Sequence, residues 1–211
     1  FVLVASLLLR RRYRPVLWTL AFSGLFLAIG IAVVGIEPHL AFVTRILPFL
    51  GEGSASPYNQ SLAGWALRLS HAVGWGSGRG TATVLVRAIG LVLFALTIYR
   101  IRRRELPASA PFDLADVSLC ILAVSIASPI TWSHHLTWTL LPLAVIFHRL
   151  GSRPSSTWQW AAAMGAYAVV GVLDDYYVHP VFSRGPQVLV SSIKLYGLLA
   201  MYALVYLIRE P

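Results

Sequence analysis

Charge is scarce in this chain. Only 12% of the 211 residues are Asp, Glu, Lys or Arg, about half the ~25% usual in a soluble domain. Acids are the scarcer sign, 8 against 17 bases. So little charge beside 57% hydrophobic residues excludes both an ordinary cytosolic domain and a disordered chain. Cysteine is almost absent. The single Cys120 lies inside an apolar block, so an intrachain disulfide and a cysteine metal cluster are excluded. No Gly-rich phosphate loop follows a strand-like run, which leaves a nucleotide site without support. The net charge of +9 would suggest nucleic acid in a soluble protein. Here the bases stand between apolar blocks, where membrane topology explains them, and no nucleic-acid partner is expected.

What is present is lipid-facing material. Mean hydropathy is +0.72, and the apolar residues gather into blocks at about 15–36, 82–99, 114–130, 136–148, 158–173 and 188–208. A spanning helix needs ~20 apolar residues, which most of these blocks approach; 136–148 is short unless it borrows Thr131–His135. A seventh run, Phe1–Leu9, precedes the cluster Arg10, Arg11, Arg12 and Arg14. A signal peptide carries its charges before its apolar core, so this run reads as the last half of a membrane helix. The chain is expected to be the C-terminal part of a longer protein. The predicted fold is all-α: one polytopic membrane helical bundle over 1–211 with about seven spans, the first incomplete. Only helices satisfy their own amides in lipid.

Orientation follows from the bases. Arg10–Arg14, Arg100–Arg104, Arg149 with Arg153, and Arg209 occupy alternate connections, which the positive-inside rule assigns to the cytoplasm. Segments 37–81, 128–135 and 174–187 are then extracytoplasmic. The loop 37–81 is too long to be a passive connection. It holds two Pro-Gly-Ser-rich stretches, Pro48–Pro57 and Gly74–Gly80. Between them one amphipathic helix is expected over Asn59–Val73, with Leu62, Trp65, Ala66, Leu69 and Val73 on its apolar face. It would lie along the membrane surface or cap a cavity.

Three clusters carry side chains capable of chemistry. The densest is Ser128-Pro129-Ile130-Thr131-Trp132-Ser133-His134-His135-Leu136-Thr137-Trp138. Pro129 should break the incoming helix and Ser133 cap the outgoing one. That sets imidazoles and an indole at the rim, near a helix N-terminus that favours anions. His134 and His135 should point ~100° apart, one serving a ligand and one structure; alternatively the group is an interfacial aromatic belt. A metal would want i,i+4 ligands or more of them, so no metal is expected. The second cluster, Pro57-Tyr58-Asn59-Gln60-Ser61-Leu62, offers uncharged donors and acceptors suited to sugar hydroxyls, or alternatively a helix cap. Its Asn59-Gln60-Ser61 matches a glycosylation sequon by pattern only. The third, Asp174-Asp175-Tyr176-Tyr177 with His179, offers a general base, an ion site, or a solvated helix end. Glu37 and His39 read the same way. Asp113 and Asp116 suit the start of a helix. Arg87, a few residues inside a span, can snorkel outward or meet a lipid phosphate.

Ser128-Pro129-Ile130-Thr131-Trp132-Ser133-His134-His135 resembles the Ser-Pro-x-[Ser/Thr]-Trp-x-His-His signature of the polyprenyl-phosphate-mannose-dependent mannosyltransferases of glycosyltransferase family 87. Asn59-Gln60-Ser61-Leu62 is similar to that family's Asn-Gln-Ser-Leu motif. The two stand in the family's order, and the resemblance covers most of the chain, as the C-terminal half of a member. It implies a GT-C bundle with its active site on the outer face, an inverting transfer, a polyprenyl-phosphate-mannose donor and a phosphatidylinositol mannoside or lipomannan-like acceptor. The plasma membrane is the implied location and no cofactor is implied. The family's presumed base is an Asp in the absent N-terminal half, so no residue here takes that role. The expected substrate-binding residues are His134, His135, Trp132, Asn59, Gln60 and Ser61. The rival reading is a transporter or flippase of a lipid-linked substrate, which would bury ionisable residues at mid-membrane; a non-catalytic scaffold is a further rival.

Overall fold

The computed structural model describes residues 2–74, 79–103, 113–173, 179–183 and 185–208. The expected cluster Asp174-Asp175-Tyr176-Tyr177, and Arg104, Arg184 and Arg209, lie outside them. Among the described residues every regular element is helical: α1 (Val2–Leu9), α2 (Tyr13–Val34), α3 (37–51), α4 (Leu62–Ala72), α5 (Arg79–Arg103), α6 (Leu114–Ala127), α7 (Leu140–Gly151), α8 (Thr157–Tyr167) and α9 (Ile193–Leu207). Each of the seven apolar blocks contains one helix. Three helical runs are long and apolar enough to cross a membrane, Tyr13–Val34, Thr83–Arg103 and Gln187–Leu207, and Leu114–Ala127 is a shorter apolar helix.

The core forms around α6. Leu119, Leu122 and Ile126 pack against Ile146 and Leu150 of α7 and against Leu195, Leu198 and Met201 of α9, all of them nearly without exposed surface. Gly197 lets α9 close on the π turn Ala168–Val172 that extends α8: a Cβ there would stand 2.5 Å from Val170 Cγ2 and 3.2 Å from Val169 Cγ1. Both neighbours are β-branched and stiff, so Gly197→Ala should cost about 1–3 kcal/mol, read as a lowered unfolding midpoint in detergent. By contrast α2 buries only Val16 and α3 buries nothing. Their Leu, Phe and Val side chains face outward.

The basic clusters meet at one end of the bundle. Arg10 bonds to Asp116 at 2.5 Å and to the Ile101 carbonyl at 2.9 Å. Arg149 lies 3.7 Å from Asp113 and donates to the Ile208 carbonyl. Asp113 and Asp116 do open α6, where Asp113 caps Ala115 N–H, and they also neutralise arginines brought from distant parts of the chain.

Two local departures have backbone causes. The expected loop 37–81 contains α3, in which a π turn, Phe42–Ile46, joins Glu37–Ala41 to Leu47–Gly51. Pro48 has no N–H for the carbonyl of residue 44, and the chain widens there, Leu47 N–H reaching Phe42 O. The outgoing segment after Pro129 is a 3₁₀ helix, Ser133–Thr139, before α7 starts. Ser133 is its first residue and Trp132 its cap. Pro142 deprives residue 138 of its α-helical donor, which favours the tighter winding upstream.

Candidate functional site

The two motifs are bonded to each other. α4 begins at Leu62 because Ser61 is extended and its hydroxyl accepts from Gly64 N–H at 3.2 Å. Asn59, just before it, spends its whole amide on protein: Nδ2 donates to Ser54 O (2.8 Å) and Pro129 O (2.9 Å), and Oδ1 accepts from Ser61 N–H (3.2 Å) and Thr131 N–H (2.9 Å). Gln60 N–H donates to Thr131 O at 2.7 Å. Its side chain joins a third segment, donating to Pro57 O and Ser191 O and accepting from Lys194 N–H. Asn59, Gln60 and Ser61 all have 0% exposed surface. They form a polar knot that ties 54–61 to 129–131 and 191–194, with their amides turned inward. The sequon therefore presents no free amide.

Arg68 completes the knot and was not singled out from the sequence. It donates to Ser56 O and Asn59 O from one guanidinium nitrogen and to Ser192 Oγ from the other. The legible signal was spacing: Ser61, Gly64 and Arg68 fall three and four apart and share one face of α4. Of the predicted apolar face, Leu62 and Ala66 are buried and Trp65 packs against the core, while Val73 is 56% exposed; Ala63, Gly64, Leu67, Arg68 and Ser70 are buried as well. The knot draws polar groups inward. α4 is packed into the bundle and forms a wall of a cavity.

Above the knot, the same turn presents an aromatic rim. Pro129 ends α6 at Ala127, and the chain then exposes Trp132, His134 and Trp138. The rings form a continuous group: Trp132 meets His134 edge-on at 5.9 Å, His134 meets His135 at 4.3 Å, and His135 stacks on Trp138 at 5.4 Å. The imidazoles expected to diverge are thus neighbours, because each leans onto an adjacent indole. His135 Nδ1 accepts the Trp132 N–H at 3.2 Å. Accepting there requires Nδ1 to be unprotonated, so a neutral ring carries its proton on Nε2. Burial lowers the His135 pKa from its ordinary value, with a smaller push from His134. His134 makes no side-chain hydrogen bond among the described residues and is exposed.

The remaining candidates stand apart. His39 lies in α3, its Nδ1 3.0 Å from Gly35 O. His179 is exposed, with Nδ1 accepting from Val181 N–H. Glu37 is exposed at the start of α3.

The family model described as glycosyltransferase family 87 matches residues 1–129, more than half of the chain. The match takes in the Asn59–Leu62 motif and ends within the Ser128 turn. No curated protein and no solved structure matches the chain.

Proposed function

The chain belongs to glycosyltransferase family 87, a family of membrane glycosyltransferases, and on that premise we propose that it transfers mannose from a polyprenyl-phosphate-mannose to a glycolipid or lipoglycan acceptor at the outer face. The observation that carries the reading is the interlock of the two motifs. A buried, hydrogen-bonded knot holds the 128–135 turn so that two imidazoles and two indoles crowd one rim, at the opposite end of α6 from the Arg10–Asp116 pair. By the positive-inside rule the arginine end is cytoplasmic and the rim exterior.

In the reaction an acceptor hydroxyl oxygen forms a bond to C1 of the sugar as the bond from C1 to the phosphate oxygen breaks, and the hydroxyl proton passes to a general base, a role assigned to no residue of this chain. The electron pair leaves on polyprenyl phosphate, whose growing charge needs donors fixed in advance. His135 fits that need. Its Nδ1 is committed to Trp132 N–H, so its Nε2–H is a preset donor. His134, beside it, supplies a second donor, and Trp132 supplies a face for the sugar. Asn59, Gln60 and Ser61 act through the turn that they hold in place.

Changing His134 and His135 separately to Ala in the full-length enzyme should lower mannose transfer from polyprenyl-phosphate-mannose, by about 10²-fold for His135. Wild-type rates in both variants would remove the phosphate role. The pH profile has a definite sign. The neutral His135 ring is the working form, and its pKa is lowered. Transfer should therefore be level above the ordinary histidine value of ~6.5 and fall only as pH drops below it. A His135→Ala variant that keeps the same acid limb would assign that limb to another group.

A further inference from the structure

A groove runs down the bundle on the other side of Pro129 and is used by nothing described so far. Its lower part is an apolar slot of about 500 Å³ lined by Ala63, Ala66, Val86, Gly90, Phe94 and Ala127. Val86, Gly90 and Phe94 follow one face of α5, so the slot extends ~12 Å along that helix at 1.5 Å per residue. Its upper part is a wider basin of about 1050 Å³ lined by Glu52, Ser54, His71, Thr83 and Arg87 among others. Arg87 and Glu52 border both parts. Arg87 sits inside the stretch of α5 that is apolar enough to span a membrane, is exposed, and makes no hydrogen bond or ion pair among the described residues. A cation within an apolar span is costly unless it meets water or an anion, and this one stands where the apolar slot opens into a polar basin.

We propose that this groove seats the acceptor, an anionic glycolipid, with an acyl chain in the slot, its phosphodiester on Arg87 and its sugars in the basin. The inference rests on the transferase reading above and assigns that reaction its second lipid. Glu52, which also lines both parts, makes no ion pair with Arg87 among the described residues, so the guanidinium is left for a lipid phosphate. Basin size favours the acceptor over the donor, because about 1050 Å³ lies just above the ~300–1,000 Å³ range of pockets that bury a drug-sized ligand. The donor carries one sugar, whereas an acceptor already bearing sugars fills the space, and Glu52, Ser54 and His71 offer partners for its hydroxyls. Pro129 lines the slot and Trp132–His135 follow it in the same turn, so the two lipids would flank one turn of chain.

The test uses the full-length protein in nanodiscs, with lipid retention read by native mass spectrometry for three probes: a phosphatidylinositol mannoside, a diacylglycerol mannoside lacking phosphate, and decaprenyl phosphate. Arg87→Gln should weaken retention of the phosphatidylinositol mannoside about tenfold, Arg87→Lys should restore most of it, and the other two probes should change less than twofold. Leu91→Trp, at an exposed position that lines the slot, should weaken both diacyl lipids. If Arg87→Gln releases decaprenyl phosphate, the groove belongs to the donor and the proposal fails. If it releases nothing, Arg87 merely snorkels and the proposal fails as well. Retention is read without transfer, so a wild-type protein that holds the acceptor through Arg87 yet moves no mannose overturns the transferase reading alone. An active Arg87→Gln enzyme with unchanged acceptor KM and retention overturns the groove alone.

Discussion

Replacing Asn59 by Ala should lower stability by about 3–5 kcal/mol, among the larger effects of a single substitution. Asn59 fills all four hydrogen-bonding positions of its amide with protein partners and exposes none of its surface. Each buried group left without a partner costs ~1–3 kcal/mol, and local relaxation recovers part of the sum. Asn59→Asp separates a clamp from a sugar ligand. Aspartate has the same shape and accepts sugar hydroxyls readily, but here it would turn one carboxylate oxygen toward both the Ser54 and Pro129 carbonyls and bury a charge. It should therefore unfold the 54–61 and 129–131 connection at least as severely as Ala. Gly64→Ala should act through the same knot without touching any polar group. A Cβ at Gly64 would stand 2.3 Å from the Asn59 carbonyl oxygen and 2.8 Å from Asn59 Cγ, and backbone cannot give way as a flexible side chain does. Thermal unfolding in detergent reads all three. An unchanged midpoint with a raised KM for Asn59→Asp would make Asn59 a ligand of the sugar.

At the opposite end, Asp116→Ala should cost about 3–5 kcal/mol, the usual penalty for breaking a buried ion pair from one side. Asp116 is 5% and Arg10 14% exposed at the side chain, and they meet at 2.5 Å. The pair joins α1 to α6, and Arg10 also reaches the Ile101 carbonyl of α5. Removing the carboxylate takes this contact from a guanidinium held among three helices, leaving its bond to the Ile101 carbonyl. Removing both charges should be milder, because an apolar pair of similar volume forfeits no stranded charge. The double variant Arg10→Met with Asp116→Leu should therefore recover most of the loss. A double variant as unstable as Asp116→Ala would assign the penalty to packing around α6.

Hydropathy and the spacing of the bases determined most of the architecture in advance. Seven apolar blocks became seven helices, since a chain in lipid must satisfy its amides locally. The arginine clusters, read from alternate connections, came together at one end. Both properties are local sums that need no knowledge of partners. The two motifs were likewise legible as strings, and the 1–129 family match coincides with the first of them. What their residues do was decided only by tertiary structure. Asn59 and Gln60 look like free amides in sequence, and their partners, Pro129, Thr131 and Ser191, lie 70 to 131 positions away. Arg68 is one more base in the sequence, and only the fold closes three acceptors around it. His134 and His135 were expected to diverge, yet the Trp132 N–H and the Trp138 ring draw them together. Hydrogen-bond saturation and ring packing are set by which segments meet in space, and hydropathy carries no record of that.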